Sequence, residues 1–431
     1  MKKVAFYTLG CKVNQYETEA LIGIFEKEGY DVVDFNEVAD VYVINTCTVT
    51  SLGDRKSRQI IRRAKKTNEN SIVVVTGCYA QTASEEVAGI EGVNLVLGTK
   101  DRNKIIDYIK EIEEDRKTIN AVGDIMKARE FEEMSVDTYK DRTRAYLKIQ
   151  EGCSQFCAYC IIPYARGPIR SRQPQNIIDE VRKLADSGFK EIVLTGIHVA
   201  SYGKDLKNTS LLDIIEKVHE IEGIERIRLG SIEPTTITEE FVSRVKNLEK
   251  LCPHYHISLQ SGCDETLKRM NRKYDTAKFR EVVRRLRDNI KDVAITTDIM
   301  VGFPGETEEE FNQSYKFVDE ISFAHAHIFK YSRRKGTPAA QFANQVPPQI
   351  KEERSKMLIE LSARKTLEYN KSFEGRIMPV LYEQEDTEGY IEGLTPNYIR
   401  VKVRGDEGLK GKIADTRLTA AVNDYMLGEI C

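Results

Sequence analysis

Three cysteines in the run Gly152-Cys153-Ser154-Gln155-Phe156-Cys157-Ala158-Tyr159-Cys160 stand at C-x3-C-x2-C spacing, and no fourth cysteine follows nearby. Three thiolates on one tight loop can hold three irons of a [4Fe–4S] cube. The fourth iron is then left without a protein ligand and is free to chelate a small molecule. A structural zinc site is the plainest alternative, but it takes four ligands, and no other Cys or His lies within about thirty residues of the trio. With such a cofactor the hard chemistry belongs to the cluster, and the protein supplies binding and orientation.

A second set of cysteines is spread along the first quarter of the chain. Cys11, Cys47 and Cys78 each follow a short β-rich run, at residues 4–8, 41–45 and 72–76, and each sits among small or polar neighbours. A lone buried thiol is usually inert packing. Three thiols at equivalent strand ends fit a second cluster site instead. Cys252, Cys263 and Cys431 match no such pattern and read as ordinary residues.

Composition sets limits on the rest. A chain of 431 residues with 41% hydrophobic and 31% charged residues reads as a soluble protein of several domains. Its longest apolar runs, such as residues 72–75, are strand-sized, so no membrane span is expected. Residues 1–11 faintly imitate a lipoprotein signal, with an apolar stretch too short for one. Nine cysteines, an odd number scattered over a long chain, argue against a disulfide framework and for a reducing cytoplasm. The net charge of −3 confines any nucleic-acid site to local basic patches.

The elements that must position these cysteines fall into three regions, so the fold class is α/β. Residues 1–112 alternate strands, at 4–8, 41–45, 72–76 and 94–97, with amphipathic helices, which implies a parallel sheet with its active edge at the strand C-termini. Residues 113–143 are charged, weakly periodic and read as a linker. Residues 144–371 then hold six strand–helix units, with strands at 146–149, 191–195, 226–229, 256–259, 294–301 and 326–331, and a closing helix at 351–371. Such a repeat makes a partial (β/α)6 barrel whose functional loops lie at the strand C-terminal face.

Cys153, Cys157 and Cys160 follow the first barrel strand, at that face. Thr195 and Gly196, Ser231 and Glu233, Ser258 and Gln260, and Gly302 and Gly305 follow the next four strands. Glycine allows close backbone approach to a ligand, and the polar groups can hold an amino acid and a ribose. Residues 373–431 change to short strands at 378–383, 390–394, 399–403 and 411–414, which suits a small antiparallel β-barrel.

Together these regions resemble the radical S-adenosylmethionine (SAM) methylthiotransferases over essentially the whole chain. The resemblance implies an N-terminal methylthiotransferase domain, a radical SAM barrel and a C-terminal RNA-binding domain of the TRAM type. It implies that Cys11, Cys47 and Cys78 ligate an auxiliary [4Fe–4S] cluster and that Cys153, Cys157 and Cys160 ligate the SAM cluster. SAM then occupies the glycine-rich rims. Catalysis is centred on these cofactors, with no Ser-His or paired-carboxylate arrangement, and the histidines read as ordinary barrel side chains.

The phrasing Thr8-Leu9-Gly10-Cys11-Lys12-Val13-Asn14-Gln15-Tyr16 resembles the branch acting on N6-threonylcarbamoyladenosine at tRNA position 37. So does Ile149-Gln150-Glu151-Gly152-Cys153 with Tyr159-Cys160-Ile161-Ile162-Pro163. The isopentenyladenosine branch tends to carry Gln-Met-Asn after the first cysteine, and the ribosomal-protein branch Pro-Lys-Asn. Adenine C2–H is an aromatic bond that no side-chain base deprotonates, so sulfur insertion there needs a radical route. In the implied scheme one SAM methylates a sulfur on the auxiliary cluster and a second supplies a deoxyadenosyl radical. The partners implied are tRNA, an electron donor of the flavodoxin or ferredoxin type, and a sulfur source.

Basic residues bear on the RNA. Arg400, Lys402 and Arg404 share one face of a C-terminal strand, where solvation and phosphate contact both fit. Arg62, in the basic helix after Cys47, and Arg333, after the sixth barrel strand, flank the expected site. A rival of another class is a non-catalytic iron–sulfur protein that binds RNA or senses redox state. The four glycine-rich rims are unnecessary for that role.

Overall fold

The computed structural model describes residues 1–136, 143–405 and 407–431. The N-terminal sheet is parallel throughout and holds β1 (Lys3–Thr8), β2 (Asp31–Val33), β3 (Val41–Thr46), β4 (Ile72–Gly77), β5 (Val93–Val96) and β6 (Ile119–Asn120). Their order is β2-β1-β3-β4-β5-β6. β3 is buried along its whole length, which is why it reads as an unbroken apolar run without alternation. The helices Lys12–Lys27 and Ser51–Thr67 cover the sheet, and Thr50 caps the second by accepting from the Gly53 backbone N–H.

The stretch expected as a linker, 113–143, does more than connect. β6 extends the sheet by one strand, Met134 and Val136 join the apolar core of the central domain, and Glu132 pairs with Arg102 at 2.8 Å. A strand of two residues leaves no period to read. Residues 137–142 of that stretch lie outside the described residues.

The central domain holds β7 (Arg144–Glu151), β8 (Arg170–Ser171), β9 (Glu191–Gly196), β10 (Arg226–Leu229), β11 (His254–His256), β12 (Ala294–Val301) and β13 (His325–Lys330). Two sheets, β10-β9-β7-β8 and β11-β12-β13, are joined by isolated bridges such as Ile227 to Leu251 and Ile232 to Ile257. Apart from the short antiparallel β8, the result is a six-stranded parallel arc around one continuous apolar core. The helix Pro348–Lys371 packs along β13, where Ala326 N–H donates to Ser362 Oγ at 3.0 Å.

The C-terminal domain is a closed barrel of β14 (Ile377–Glu385), β15 (Tyr390–Leu394), β16 (Arg400–Arg404), β17 (Ile413–Val422) and β18 (Tyr425–Ile430), in the order β14-β15-β16-β18-β17. β18 is the strand missing from the sequence reading, and it pairs parallel with β16. A ring with an odd number of strands cannot alternate direction all the way round, so one neighbouring pair must be parallel. This barrel sits where the central strands begin. Arg226 donates to the carbonyls of Leu394 and Pro379, each at 2.8 Å, and Arg144 is paired with Glu383.

Candidate cluster sites and the cavity beside them

Cys11, Cys47 and Cys78 end β1, β3 and β4, so the parallel sheet delivers all three to one edge. Gly10, at φ +114°, is what lets two of the loops meet. A Cβ there would stand 3.0 Å from Cys47 Cβ and 3.3 Å from its Sγ. The Asn14 amide ties the same loops by donating to the carbonyls of Leu9 at 2.7 Å and Thr46 at 3.1 Å. Burial raises the Cys47 thiol and pushes the fully buried Cys78 thiol up to about 12, with the Arg166 guanidinium opposing that rise at Cys78.

The barrel cysteines occupy the loop after β7. Cys160 N–H donates to Cys157 C=O at 2.9 Å, and Phe156 takes a left-handed φ of 48° to close the turn. Ala158 anchors the loop by donating to Met270 C=O at 2.9 Å and accepting from Ala339 N–H at 2.8 Å. Arg272 donates to Cys157 Sγ at 3.2 Å and pairs with Glu233 at 2.6 Å. Burial pushes the Cys153 thiol up to about 11 and the Cys160 thiol to about 12.

One side chain links the two cysteine sets. Arg166 lies at the end of the short helix Ile162–Arg166 that follows Cys160, and its Nε donates to Cys78 Sγ at 3.2 Å. Its Nη2 donates to Asn14 Oδ1 at 2.7 Å and to Glu17 at 3.0 Å, and its Nη1 pairs with Glu151 at 3.1 Å. Glu17 also meets Arg102 at 2.7 Å and Lys148 at 2.9 Å, all of them buried. Burial alone would raise the Glu17 carboxyl, but Arg102, Arg166 and Lys148 together hold it well below the usual carboxylate range. Nothing in the sequence singled out Arg166, Arg102 or Arg272. The only available signal is an arginine close behind a cysteine loop, which exposed residues give just as often.

A cavity of about 970 Å³ runs from the Cys11 loop through the barrel to the C-terminal domain. Thr195, Gly196 and Ser231 line it, beside Lys12 and Gln15. Glu233 and the Ser258 carbonyl lie instead against Arg272. Gln260 takes φ 69° and bridges to β12 through Asp298 C=O and Met300 N–H. Gly302 and Gly305 form a turn at φ 69° and 79°, facing Lys351 and Arg269. Of the histidines read as ordinary barrel side chains, His254, His256, His325 and His327 line the cavity. Burial lowers the His325 imidazole to about 4.

The basic residues separate by partner. Lys402 is held by Asp386 and Glu392, each at 2.8 Å, and Arg400 by Asp424 at 3.4 Å. Arg404 is exposed with its guanidinium 5.5 Å from the Tyr390 ring centroid, and Val401 and Val403 point into the barrel. Arg62 is exposed on its helix, whereas Arg333 Nε donates to Ala340 C=O at 2.7 Å. Its neighbour Arg334 pairs with Asp54 at 2.6 Å, joining the barrel rim to the Cys47 side of the N-terminal domain.

Cys11, Cys47 and Cys78 gather at one sheet edge, and Cys153, Cys157 and Cys160 on one loop after β7. Among the described residues no three His, Cys, Asp or Glu side chains converge as ligands of one metal ion would. Each set also has a guanidinium 3.2 Å from one sulfur, at Cys78 and at Cys157. A cation there lowers the cost of a buried thiolate and orients the ligand.

Residues 147–318 match the family model described as the Radical SAM superfamily, and residues 3–98 match Uncharacterized protein family UPF0004. The chain is 46% identical to the threonylcarbamoyladenosine tRNA methylthiotransferase MtaB of Bacillus subtilis, covering all of this chain and 96% of that one. It is 42% identical to the MtaB of Aquifex aeolicus, over 94% of this chain and 97% of that one. It is 37% identical to the tRNA-2-methylthio-N(6)-dimethylallyladenosine synthase of Clostridium botulinum, over 98% of this chain and 95% of that one. Among solved structures, the radical SAM methyltransferase TsrM of Kitasatospora setae superposes with a TM-score of 0.58 at 18% identity, over 79% of this chain and 77% of that one. That likeness is one of fold. Full-length identity to the curated relatives places this chain in the radical SAM methylthiotransferase family, transferases that work through [4Fe–4S] clusters and SAM.

Proposed function

We propose that this protein is a tRNA methylthiotransferase that replaces the C2 hydrogen of N6-threonylcarbamoyladenosine, at tRNA position 37, by a methylthio group. The observation that carries the reading is the joining of the two cysteine sets through Arg166, in a chain 46% identical to a threonylcarbamoyladenosine tRNA methylthiotransferase. The relative named for dimethylallyladenosine is less similar, at 37% identity. In this reading the domains are 1–112, 144–371 and 373–431, with 113–143 between the first two in sequence.

Cys153, Cys157 and Cys160 would hold the SAM cluster, and Cys11, Cys47 and Cys78 the auxiliary cluster. When bound, these clusters and SAM supply the deoxyadenosyl radical and the sulfur that the C2 position receives. The chain's own residues position and shield. Arg272 orients Cys157 and fixes Glu233, while Arg166 orients Cys78 and locks the barrel loop against the N-terminal domain. Thr195, Gly196 and Ser231 offer SAM a wall of the cavity. Arg62 and Arg404, exposed and basic, suit tRNA phosphates. An electron donor of the flavodoxin or ferredoxin type and a sulfur source complete the reaction, which belongs in the cytoplasm with its tRNA.

The test is single-turnover reaction of the reconstituted chain with anticodon hairpins. Methylthio product on the threonylcarbamoyladenosine hairpin, and little on the dimethylallyladenosine hairpin, is expected. The reverse preference would refute the substrate.

A further inference from the structure

The charge of the central cavity is nearly, but not wholly, balanced by the protein. Among its lining groups Arg144 is paired with Glu383, Arg400 with Asp424 at 3.4 Å, Glu392 with Lys402 at 2.8 Å and Asp298 with His256 at 3.1 Å. Lys12 differs. It is half-buried at the cavity wall, its Nζ lies 5.9 Å from the Tyr146 ring centroid, and among the described residues no carboxylate stands within ion-pair reach of it. An ammonium partly removed from water without a counterion is costly, and a bound anion would relieve that cost.

We propose that Lys12 receives the carboxylate of the substrate's N6 substituent and so selects threonylcarbamoyladenosine over adenosines with an uncharged N6 group. The inference rests on the substrate proposed above. Geometry supports it from both sides. In adenine, C2 and C6 flank N1, so a group on N6 projects from the same edge of the base as C2. In the protein, Lys12 directly follows Cys11 and lines the same cavity. A base that presents C2 to the Cys11 side therefore brings its N6 group to the residues around Lys12. A threonylcarbamoyl group arrives with a carboxylate, whereas a dimethylallyl group leaves the ammonium unpaired. Val13, the next residue, also lines the cavity but is buried and apolar, so it offers no charge to an N6 carboxylate.

SAM also carries a carboxylate and the RNA carries phosphates, so the test must separate these sources of negative charge. It uses the reconstituted full chain and three hairpins that differ only at N6: threonylcarbamoyl, its uncharged threoninamide counterpart, and dimethylallyl. The parent is expected to bind the acid hairpin about tenfold or more tightly than the amide. Lys12→Met should lose that preference and Lys12→Arg should keep it, with SAM affinity the same in all three proteins.

Equal binding of acid and amide by the parent overturns the inference without any variant, so a misfolded variant cannot hide its failure. A preference that survives in Lys12→Met also overturns it. A loss confined to SAM affinity assigns Lys12 to SAM's carboxylate instead, and an equal loss on all three hairpins assigns it to phosphate. Product on the acid hairpin without any acid-over-amide preference removes the role of Lys12 alone. Product only on the dimethylallyl hairpin removes the substrate reading and the inference together.

Discussion

Arg166 Nε reaches Cys78 Sγ at 3.2 Å, although one belongs to the barrel's cysteine loop and the other ends a strand of the N-terminal sheet. The same guanidinium meets Glu17 and Glu151, so two domains share one buried charge network. Removing one partner from such a network leaves buried charge uncompensated. Arg166→Met is therefore expected to cost about 3–5 kcal/mol of stability, seen as a lower urea midpoint. The half-exposed pair Arg58–Glu86, at 3.1 Å, is the control, and Arg58→Ala is expected to cost about 1 kcal/mol or less.

The two cysteine sets should separate by function. Cys11→Ala, Cys47→Ala or Cys78→Ala is expected to leave SAM cleavage largely intact and abolish methylthio product. Iron should fall from about eight to about four per chain. Cys153→Ala, Cys157→Ala or Cys160→Ala should abolish both cleavage and product. Normal product formation by any of the first three variants would reject the auxiliary-cluster role.

Arg272 stands to Cys157 as Arg166 does to Cys78. Groups that orient a metal ligand commonly change affinity or activity by about 10- to 100-fold when lost. Arg272→Gln is expected to slow SAM cleavage within that range and to shift the barrel cluster's reduction potential negative, since a donor and a positive charge leave its sulfur. A redox titration followed by electron paramagnetic resonance reads the shift. An unchanged potential would leave Arg272 a merely structural partner of Glu233.

The C-terminal strand divides more finely than its sequence suggests. Lys402 is already neutralised by two carboxylates, so Lys402→Ala should not alter the salt dependence of tRNA binding. Arg404→Ala and Arg62→Ala should each lower the slope of log affinity against log salt by about 0.7–0.9. Arg400 lines the central cavity, so its replacement should affect turnover as well as binding.

The cavity histidines make stability depend on acid. Burial, helped by His327, lowers His325 to about 4 from an ordinary value near 6.5. A depressed histidine favours the folded state while neutral. That contribution is whole above about pH 6.5 and is lost progressively as pH falls toward 4. His325→Gln should flatten the stability profile across that window and leave it unchanged above pH 7, as measured by urea unfolding at stepped pH.

What the sequence revealed and what it hid follow a physical line. Local spacing needs no fold to be seen, so the C-x3-C-x2-C run of Cys153, Cys157 and Cys160 stands out in the sequence itself. The meeting of Cys11, Cys47 and Cys78 at one edge was legible because parallel strands bring their C-termini together. β3 and β4 were readable from the apolar runs at 41–44 and 72–75. β6 has two residues and so no period to read, whereas β18 pairs with β17 across the tight Asn423-Asp424 turn, a local hairpin signal that its parallel pairing with the remote β16 only supplements. Arg166, Arg272 and the four cavity histidines were opaque for another reason. Their role lies in where a side chain points after folding, and residue type does not encode that.

The most direct measurement is mass spectrometry of tRNA nucleosides from cells with and without the gene for this protein. Loss of the 2-methylthio mark on threonylcarbamoyladenosine is expected, with the unmodified threonylcarbamoyl nucleoside accumulating in its place. Re-expression of the parent chain should restore the mark, and Cys78→Ala should not. An unchanged level of that nucleoside in cells lacking the protein, or loss of the mark from dimethylallyladenosine alone, would contradict the assigned reaction.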